Sequence, residues 1–176
     1  MSKLAIIGTA GRKDDAAKLS KIHWQRMLDA ARCIIRKEKT TSIISGGAAW
    51  ADHIAVEIGI KDKVKTKIWL PENGRDLSTL HGYHGKFSSA REKDTWKELN
   101  DCFKLKHFNI QSFGGFKDRN SKVADEADLF LAMTFGDKDQ VKEGGTADTV
   151  RKMRVRGING YHLDLNVLKL YCIRWT

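Results

Sequence analysis

Apolar and polar positions along the chain separate short buried strands from longer helical stretches. Five runs are apolar or β-branched and predict strands at residues 3–7, 41–44, 67–70, 129–133 and 161–165. The stretches between them predict helices at residues 16–38, 48–58, 88–103, 120–127 and 144–156. Because nearly continuous apolar strands alternate with helices, we expect an α/β fold with a mainly parallel sheet and helices on both faces.

One part of the chain breaks this alternation. Residues 72–85 contain glycine and histidine and are predicted as a loop, and residues 112–116 as a glycine loop. No strand pattern is clear within residues 74–116, which we interpret as an insertion. No repeat, low-complexity tract or linker divides the sequence, so we expect residues 1–176 to form a single domain.

Composition favours a globular protein in a reducing compartment. Of the 176 residues, 41% are hydrophobic and 31% are charged, and no apolar run approaches the ~18 residues of a membrane span. The apolar start of the chain lacks a full signal-peptide core, so we expect a cytoplasmic protein without membrane contact. Cys33, Cys102 and Cys172 are scattered, which argues against disulfides and against a metal cluster. We therefore expect no metal and no cofactor.

The charge is strongly basic, with 32 Lys and Arg against 22 Asp and Glu and a net charge of +10. This excess suits an anionic partner, either nucleic acid or a phosphorylated small molecule. It equally suits a solvated surface that only keeps the protein soluble. The aromatic residues that usually accompany a single-strand groove are sparse among the basic residues, so charge alone leaves these alternatives open.

Three glycine motifs lie where predicted strands end or a predicted helix begins. They are Gly8-Thr9-Ala10-Gly11-Arg12, Ser45-Gly46-Gly47-Ala48 and Gly144-Gly145-Thr146. Ligands of open parallel sheets bind beyond the carboxyl ends of the strands, so we expect the three motifs to meet at one edge. Glycine permits close backbone approach and a helix N-terminus offers free N–H groups, which together predict a phosphate cradle. Each motif alone is also explained by a tight turn, and neither GxxxxGK[ST] nor GxGxxG is present.

Longer motifs around these glycines occur in a fixed order. They are SGGAAWADHIAVE at 45–57, DRNSKVADEADLFLAMT at 118–134 and EGGTADTVRKMRVRGI at 143–158. This order resembles the SLOG superfamily, which joins the DNA-processing protein DprA to the LOG phosphoribohydrolases. The nearest pattern is a small uncharacterised SLOG family with SGGAxGAD and GGTxxT motifs. The resemblance implies a Rossmann-like fold and a pocket for a nucleotide-derived ligand.

Two of the matched motifs imply ligand contacts. Gly46, Gly47 and Asp52 match SGGAxGAD, whereas Trp50 replaces its third glycine and would either stack on a base or pack in the core. Arg119 matches the arginine that LOG enzymes place before the fourth strand, and its guanidinium would bind a phosphate or lie at the surface.

The third motif departs from the LOG pattern PGGxGTxxE. Gly144, Gly145 and Thr146 match its phosphate-binding turn, but the proline is missing and Thr149 stands in the place of the catalytic glutamate. LOG-type base release therefore does not transfer directly. The complete set predicted to bind the ligand is Gly8, Thr9, Gly11, Arg12, Ser45, Gly46, Gly47, Trp50, Arg119, Asn120, Gly144, Gly145, Thr146 and Thr149.

Cleavage of an N-glycosidic bond needs a carboxylate that stabilises an oxocarbenium-like centre or activates water. Asp52, Glu143 and Asp148 lie near the predicted rim and, with Arg119, form the candidate catalytic set. Asp52 and Asp148 are also explained by stabilisation of a helix N-terminus.

Three functions remain open at this point. In the first, the protein binds a nucleotide-derived phosphate ligand and hydrolyses a nucleoside or deoxynucleoside 5′-monophosphate at its glycosidic bond. In the second, it only sequesters or senses a signalling nucleotide. In the third, it binds nucleic acid as DprA does. A homodimer or a higher homo-oligomer is compatible with each of them.

Overall fold

A seven-stranded sheet forms the centre of the protein in the computed structural model, which describes residues 2–175. The strands are β1 (Ser2–Gly8), β2 (Thr40–Ser45), β3 (Lys65–Pro71), β4 (Phe108–Phe113), β5 (Leu129–Thr134), β6 (Gly160–Asp164) and β7 (Lys169–Ile173). Their order is β4-β3-β2-β1-β5-β6-β7, and only β7 runs antiparallel to its neighbour. The predicted α/β fold with a mainly parallel, Rossmann-like sheet is confirmed.

Helices cover both faces of this sheet. They are α1 (Asp14–Lys18), α2 (Lys21–Lys37), α3 (His53–Asp62), α4 (Gly74–Arg91), α5 (Thr95–Asp101), α6 (Phe116–Glu126) and α7 (Gly145–Val155). Helices α2 to α5 contribute to one apolar core, whereas α6 and α7 contribute to a second core on the opposite face. In residues 2–175, no helix is both long enough and apolar enough to cross a membrane.

The strand order creates a crevice between β1 and β5. The chain runs outward from β1 through β2 and β3 to β4, and then returns to add β5 on the other side of β1. At such a reversal the connections leave in opposite directions, so the carboxyl ends of the two central strands stay open. Gly8 ends β1 here, where a Cβ atom would overlap the Met133 carbonyl and lie 2.7 Å from the Ala51 Cβ. A residue without a side chain is therefore needed.

The predicted loop at residues 72–85 is wrong, because residues 74–85 lie within helix α4. Asn73 caps the helix by accepting a hydrogen bond from the Arg75 N–H at 3.0 Å. Leu80, His84 and Phe87 then recur on one face and are fully buried. Burial of that face stabilises the helix although glycine lowers its intrinsic propensity.

Other boundaries also differ from the sequence prediction. The predicted helix at 16–38 is divided into α1 and α2, and α3 begins at His53 rather than at residue 48. The predicted helix at 88–103 is interrupted where Glu92 adopts a left-handed conformation with a φ of 54° and Asp94 caps α5. Strands β4 and β7 were not predicted. Both are edge strands with exposed positions, so neither shows a continuous apolar run.

Candidate functional site

An open cleft of about 510 Å³ lies at the carboxyl ends of the central strands. The cleft is lined by Gly8 at the end of β1, by Thr9 after it and by Gly46 after β2. Gly144 and Gly145 at the start of α7 also line it. The structure thus brings one part of each glycine motif into the same space. The cleft has the size of an ordinary small-molecule site.

The N-terminus of α7 opens directly into the cleft. Gly144 occupies the N-cap position with a φ of 134°, and no side chain caps the helix. A Cβ atom at Gly144 would meet nothing within 4 Å, and one at Gly145 would lie 3.6 Å from the Asn120 amide nitrogen. The first N–H groups of a helix lack acceptors within the helix and carry its positive dipole end. This corner therefore offers uncrowded backbone donors to an anion.

Two threonine hydroxyls hold this corner in place. Thr146 donates a hydrogen bond to the Gly8 carbonyl at 3.0 Å, which joins α7 to the end of β1. Thr149 donates to the Gly145 carbonyl at 2.9 Å. Because both hydroxyl protons are used within the protein, these two residues shape the cradle and leave ligand binding to backbone N–H groups.

A second link ties the loop after β1 to the loop before α7. Asp15 is buried, accepts a hydrogen bond from the Thr9 hydroxyl at 2.6 Å and forms an ion pair with the Lys142 ammonium at 2.6 Å. The Lys142 N–H donates to the Thr134 hydroxyl at 3.1 Å. The two loops therefore form one continuous wall of the cleft.

The β2 corner, which is the loop from Gly46 to Asp52 after strand β2, is built around a buried ion pair. Arg119 of α6 donates through Nη1 to the Gly46 carbonyl and through Nε to the Asn120 side chain at 2.9 Å. The same Nη1 lies 3.6 Å from Oδ2 of Asp52, which also accepts the Ala48 N–H at 3.2 Å. Arg119 and Asp52 are 7% and 5% exposed. Arg119 is thus largely committed to protein acceptors and connects α6 to the β2 corner.

Burial sets the protonation behaviour of this pair. It raises the pKa of Asp52 above the usual aspartate value, while the Arg119 guanidinium and the N–H groups of Ala48 and Gly46 act in the opposite direction. Burial also lowers the pKa of Arg119, although a guanidinium remains charged at neutral pH. A carboxyl group that holds its proton more readily than usual can act as an acid inside the cleft.

A cation and an aromatic ring lie at the α6 end of the cleft. Arg12 and Phe116 both line it. The Arg12 guanidinium is exposed and lies 5.5 Å from the Phe116 ring centre and 5.0 Å from that of Tyr83. Arg12 takes part in none of the ion pairs formed within residues 2–175. Its charge is therefore available to a ligand.

Some predicted ligand-binding residues lie beneath the cleft rather than on its surface. Trp50 is 6% exposed and packs on Phe87 with ring centres 4.9 Å apart, directly below Gly11. Ser45 donates to the Ile6 carbonyl at 2.7 Å. The Gly47 carbonyl accepts from a buried histidine, His84, at 2.9 Å. These residues support the corners through the core.

The remaining predicted acids lie toward solvent. Glu143 is at the rim of the cleft and pairs with the exposed Arg151 at 3.1 Å. Asp148 does not line the cleft and pairs with Lys152 at 3.0 Å. Of the three predicted catalytic carboxylates, only Asp52 combines burial with a place on the cleft wall. These two ion pairs also neutralise Arg151 and Lys152, which form part of the basic surface of α7.

Several residues that line the cleft were not among the predicted site residues, and they include Asp15, Phe116, Thr134 and Lys142, which make polar or aromatic contacts. Thr134 follows the predicted strand at 129–133, so its place at a carboxyl end was a usable signal. Phe116 follows β4, and β4 was not recognised in the sequence because its positions are partly or fully exposed. Asp15 and Lys142 are far apart in sequence and meet only through folding.

The fold and this cleft define a Rossmann-like α/β protein with an open, cation-bearing site at the strand reversal of its sheet. No family model matches the chain, and no solved structure matches it. The chain is 32% identical over 167 residues to "Uncharacterized protein R261" of Acanthamoeba polyphaga mimivirus, a match that covers 86% of this chain and 91% of the relative. The chain belongs to the same family as that viral protein.

Proposed function

We propose that the cleft binds a nucleotide-derived ligand and holds its phosphate group at the N-terminus of α7. The observation that carries this proposal is the uncapped, uncrowded Gly144–Gly145 corner opening into a cleft that also contains Arg12. Backbone N–H groups, the helix dipole and a free guanidinium together suit a phosphate. The order of the sequence motifs, which resembles that of SLOG domains, supports a nucleotide as the source of that phosphate.

Binding is tested by adding one methyl group to the cradle. Gly145→Ala introduces a Cβ that the protein tolerates, because its nearest neighbour would be 3.6 Å away. The methyl group would occupy the space next to the N–H donors, so we expect weaker binding with a nearly unchanged melting temperature. Gly74→Ala is the matched control, since Gly74 is the first residue of α4, lies outside the cleft and also has open space around it.

The measurement is isothermal titration of both variants and the wild type with AMP, GMP, CMP, UMP and ribose 5-phosphate. Phosphate binding predicts a smaller affinity for Gly145→Ala and no change for Gly74→Ala. It also predicts an affinity that falls with rising salt, because the contacts are charged. Failure of every compound to bind the wild type would refute the proposal.

Hydrolysis of the bound nucleotide is a second candidate that Asp52 favours. Its carboxyl group is buried on the cleft wall, and burial raises its pKa, which suits proton donation to the leaving base. In this reaction water adds to C1′ of the ribose, the bond from C1′ to the base nitrogen breaks, and the base leaves with a proton. The products are free base and ribose 5-phosphate.

Chromatography of nucleotide incubations detects the free base. Hydrolysis predicts base release by the wild type and its loss in Asp52→Asn, while titration shows that the variant still binds nucleotide. A wild type that binds nucleotide and releases no base would refute hydrolysis and leave a binding protein that sequesters or senses its ligand.

A further inference from the structure

Phe116 is the one aromatic side chain among the residues that line the cleft in the described part of the chain. It is the first residue of α6 and follows Gly115, which has a φ of 137°. Its N–H donates to Asp76 Oδ2 at 3.2 Å, which ties the start of α6 to α4. The ring therefore has a defined position before any ligand binds.

The ring is partly buried, and two guanidinium groups lie near it. Arg119 lies 5.3 Å from the ring centre and Arg12 lies 5.5 Å from it. Arg119 is anchored by the Gly46 carbonyl and Asn120, whereas Arg12 is exposed and forms no ion pair within residues 2–175. Arg12 also lies 5.0 Å from the Tyr83 ring centre, so it sits beside both rings without an ion pair that fixes it there.

Phe116 is also at a suitable separation from the proposed phosphate cradle. Asn120 lies one helical turn after Phe116 on α6, about 6 Å along the axis. The Asn120 amide nitrogen would lie 3.6 Å from a Cβ atom at Gly145, which places Asn120 next to the start of α7. One turn of α6 thus connects the aromatic end of the cleft to the anion-binding end, and a ribose fits a separation of this kind.

We infer that Phe116 is the platform on which the base of a purine nucleotide stacks, with Arg12 closing over the opposite face of the base. This inference rests on the proposed function, since it adds the base to a ligand whose phosphate is at α7. An aromatic face stacks on any base, and the larger π surface of a purine gains more contact than that of a pyrimidine. Arg12 can stack on a base through its planar guanidinium.

The test compares AMP, UMP and ribose 5-phosphate by isothermal titration of Phe116→Leu. Leucine retains an apolar side chain and removes the flat π surface. We expect AMP to bind Phe116→Leu about 5- to 100-fold more weakly than it binds the wild type. The affinity for UMP should fall by a smaller factor, and the affinity for ribose 5-phosphate should not change. Phe116→Trp retains a stacking surface and should restore AMP binding.

Phe103→Leu is the matched control, because Phe103 is 58% exposed and lies outside the cleft. Circular dichroism melting verifies that each variant is folded. Equal losses for AMP and ribose 5-phosphate in Phe116→Leu, or no loss for either, would overturn the stacking role and leave phosphate binding intact. If the wild type binds none of the five compounds used to test the proposed function, that function itself fails and the stacking role fails with it.

Discussion

Replacement of Gly46 by alanine tests the way in which the cleft is assembled. A Cβ atom at this position would lie 2.5 Å from Arg119 Cζ and 2.8 Å from Asp52 Oδ2. Both separations are well inside normal contact distance. Since Arg119 and Asp52 are buried, neither side chain can move into solvent without breaking contacts at the β2 corner.

The expected loss follows from those contacts. Arg119 Nη1 donates to the Gly46 carbonyl, and a hydrogen bond from a charged donor contributes about 1.5–3 kcal/mol. Displacement of the guanidinium also weakens the charge compensation of Asp52. We therefore expect Gly46→Ala to lower the free energy of unfolding by about 2–4 kcal/mol. In a protein of this length that corresponds to a melting temperature lower by about 4–16 °C.

The assay is thermal and urea unfolding followed by circular dichroism, with Gly82→Ala as the control. Gly82 lies inside α4, is exposed, and has no atom within 4 Å of the added Cβ. The same substitution should there stabilise the protein by about 0.5–1 kcal/mol through helix propensity. A Gly46→Ala protein as stable as the wild type would refute the view that Arg119 and Asp52 are rigidly held against Gly46.

Two further predictions concern groups outside the cleft. Burial, together with the nearby His53, lowers the pKa of His84 to about 4 from 6.5, so the unfolded chain takes up a proton first as the pH falls. The contribution of neutral His84 to the free energy of unfolding is complete above about pH 7 and should fall by about 2 kcal/mol by pH 5. In urea unfolding at the two pH values, His84→Gln should lose less stability than the wild type. An identical loss in both proteins would contradict this prediction. Cys33 and Cys172 are exposed, whereas burial raises the pKa of Cys102 to about 12. A thiol reagent should therefore modify two cysteines in the native protein and the third only after unfolding, and rapid modification of all three would refute this assignment.

The central strands of the fold were predictable because burial on both faces of the sheet requires a local run of apolar residues. Strands β1, β2 and β5 contain apolar or β-branched runs that stop at a glycine or a hydroxyl residue, and the sequence shows both features. Strands β4 and β7 leave no such mark, since edge strands expose many of their side chains. Helix α4 was hidden by its glycines, and its stability comes from burial of Leu80, His84 and Phe87.

The sequence alone determined the fold class and where the glycine corners occur along the chain, because both depend on local patterns of burial and turn formation. The tertiary structure decided which chemical groups reach the cleft. In the folded protein Trp50 is buried in the core and Arg119 donates to the Gly46 carbonyl. Asp15 pairs with Lys142, which is 127 positions away in the sequence. Such pairings depend on how distant segments pack, and no short stretch of sequence contains that information.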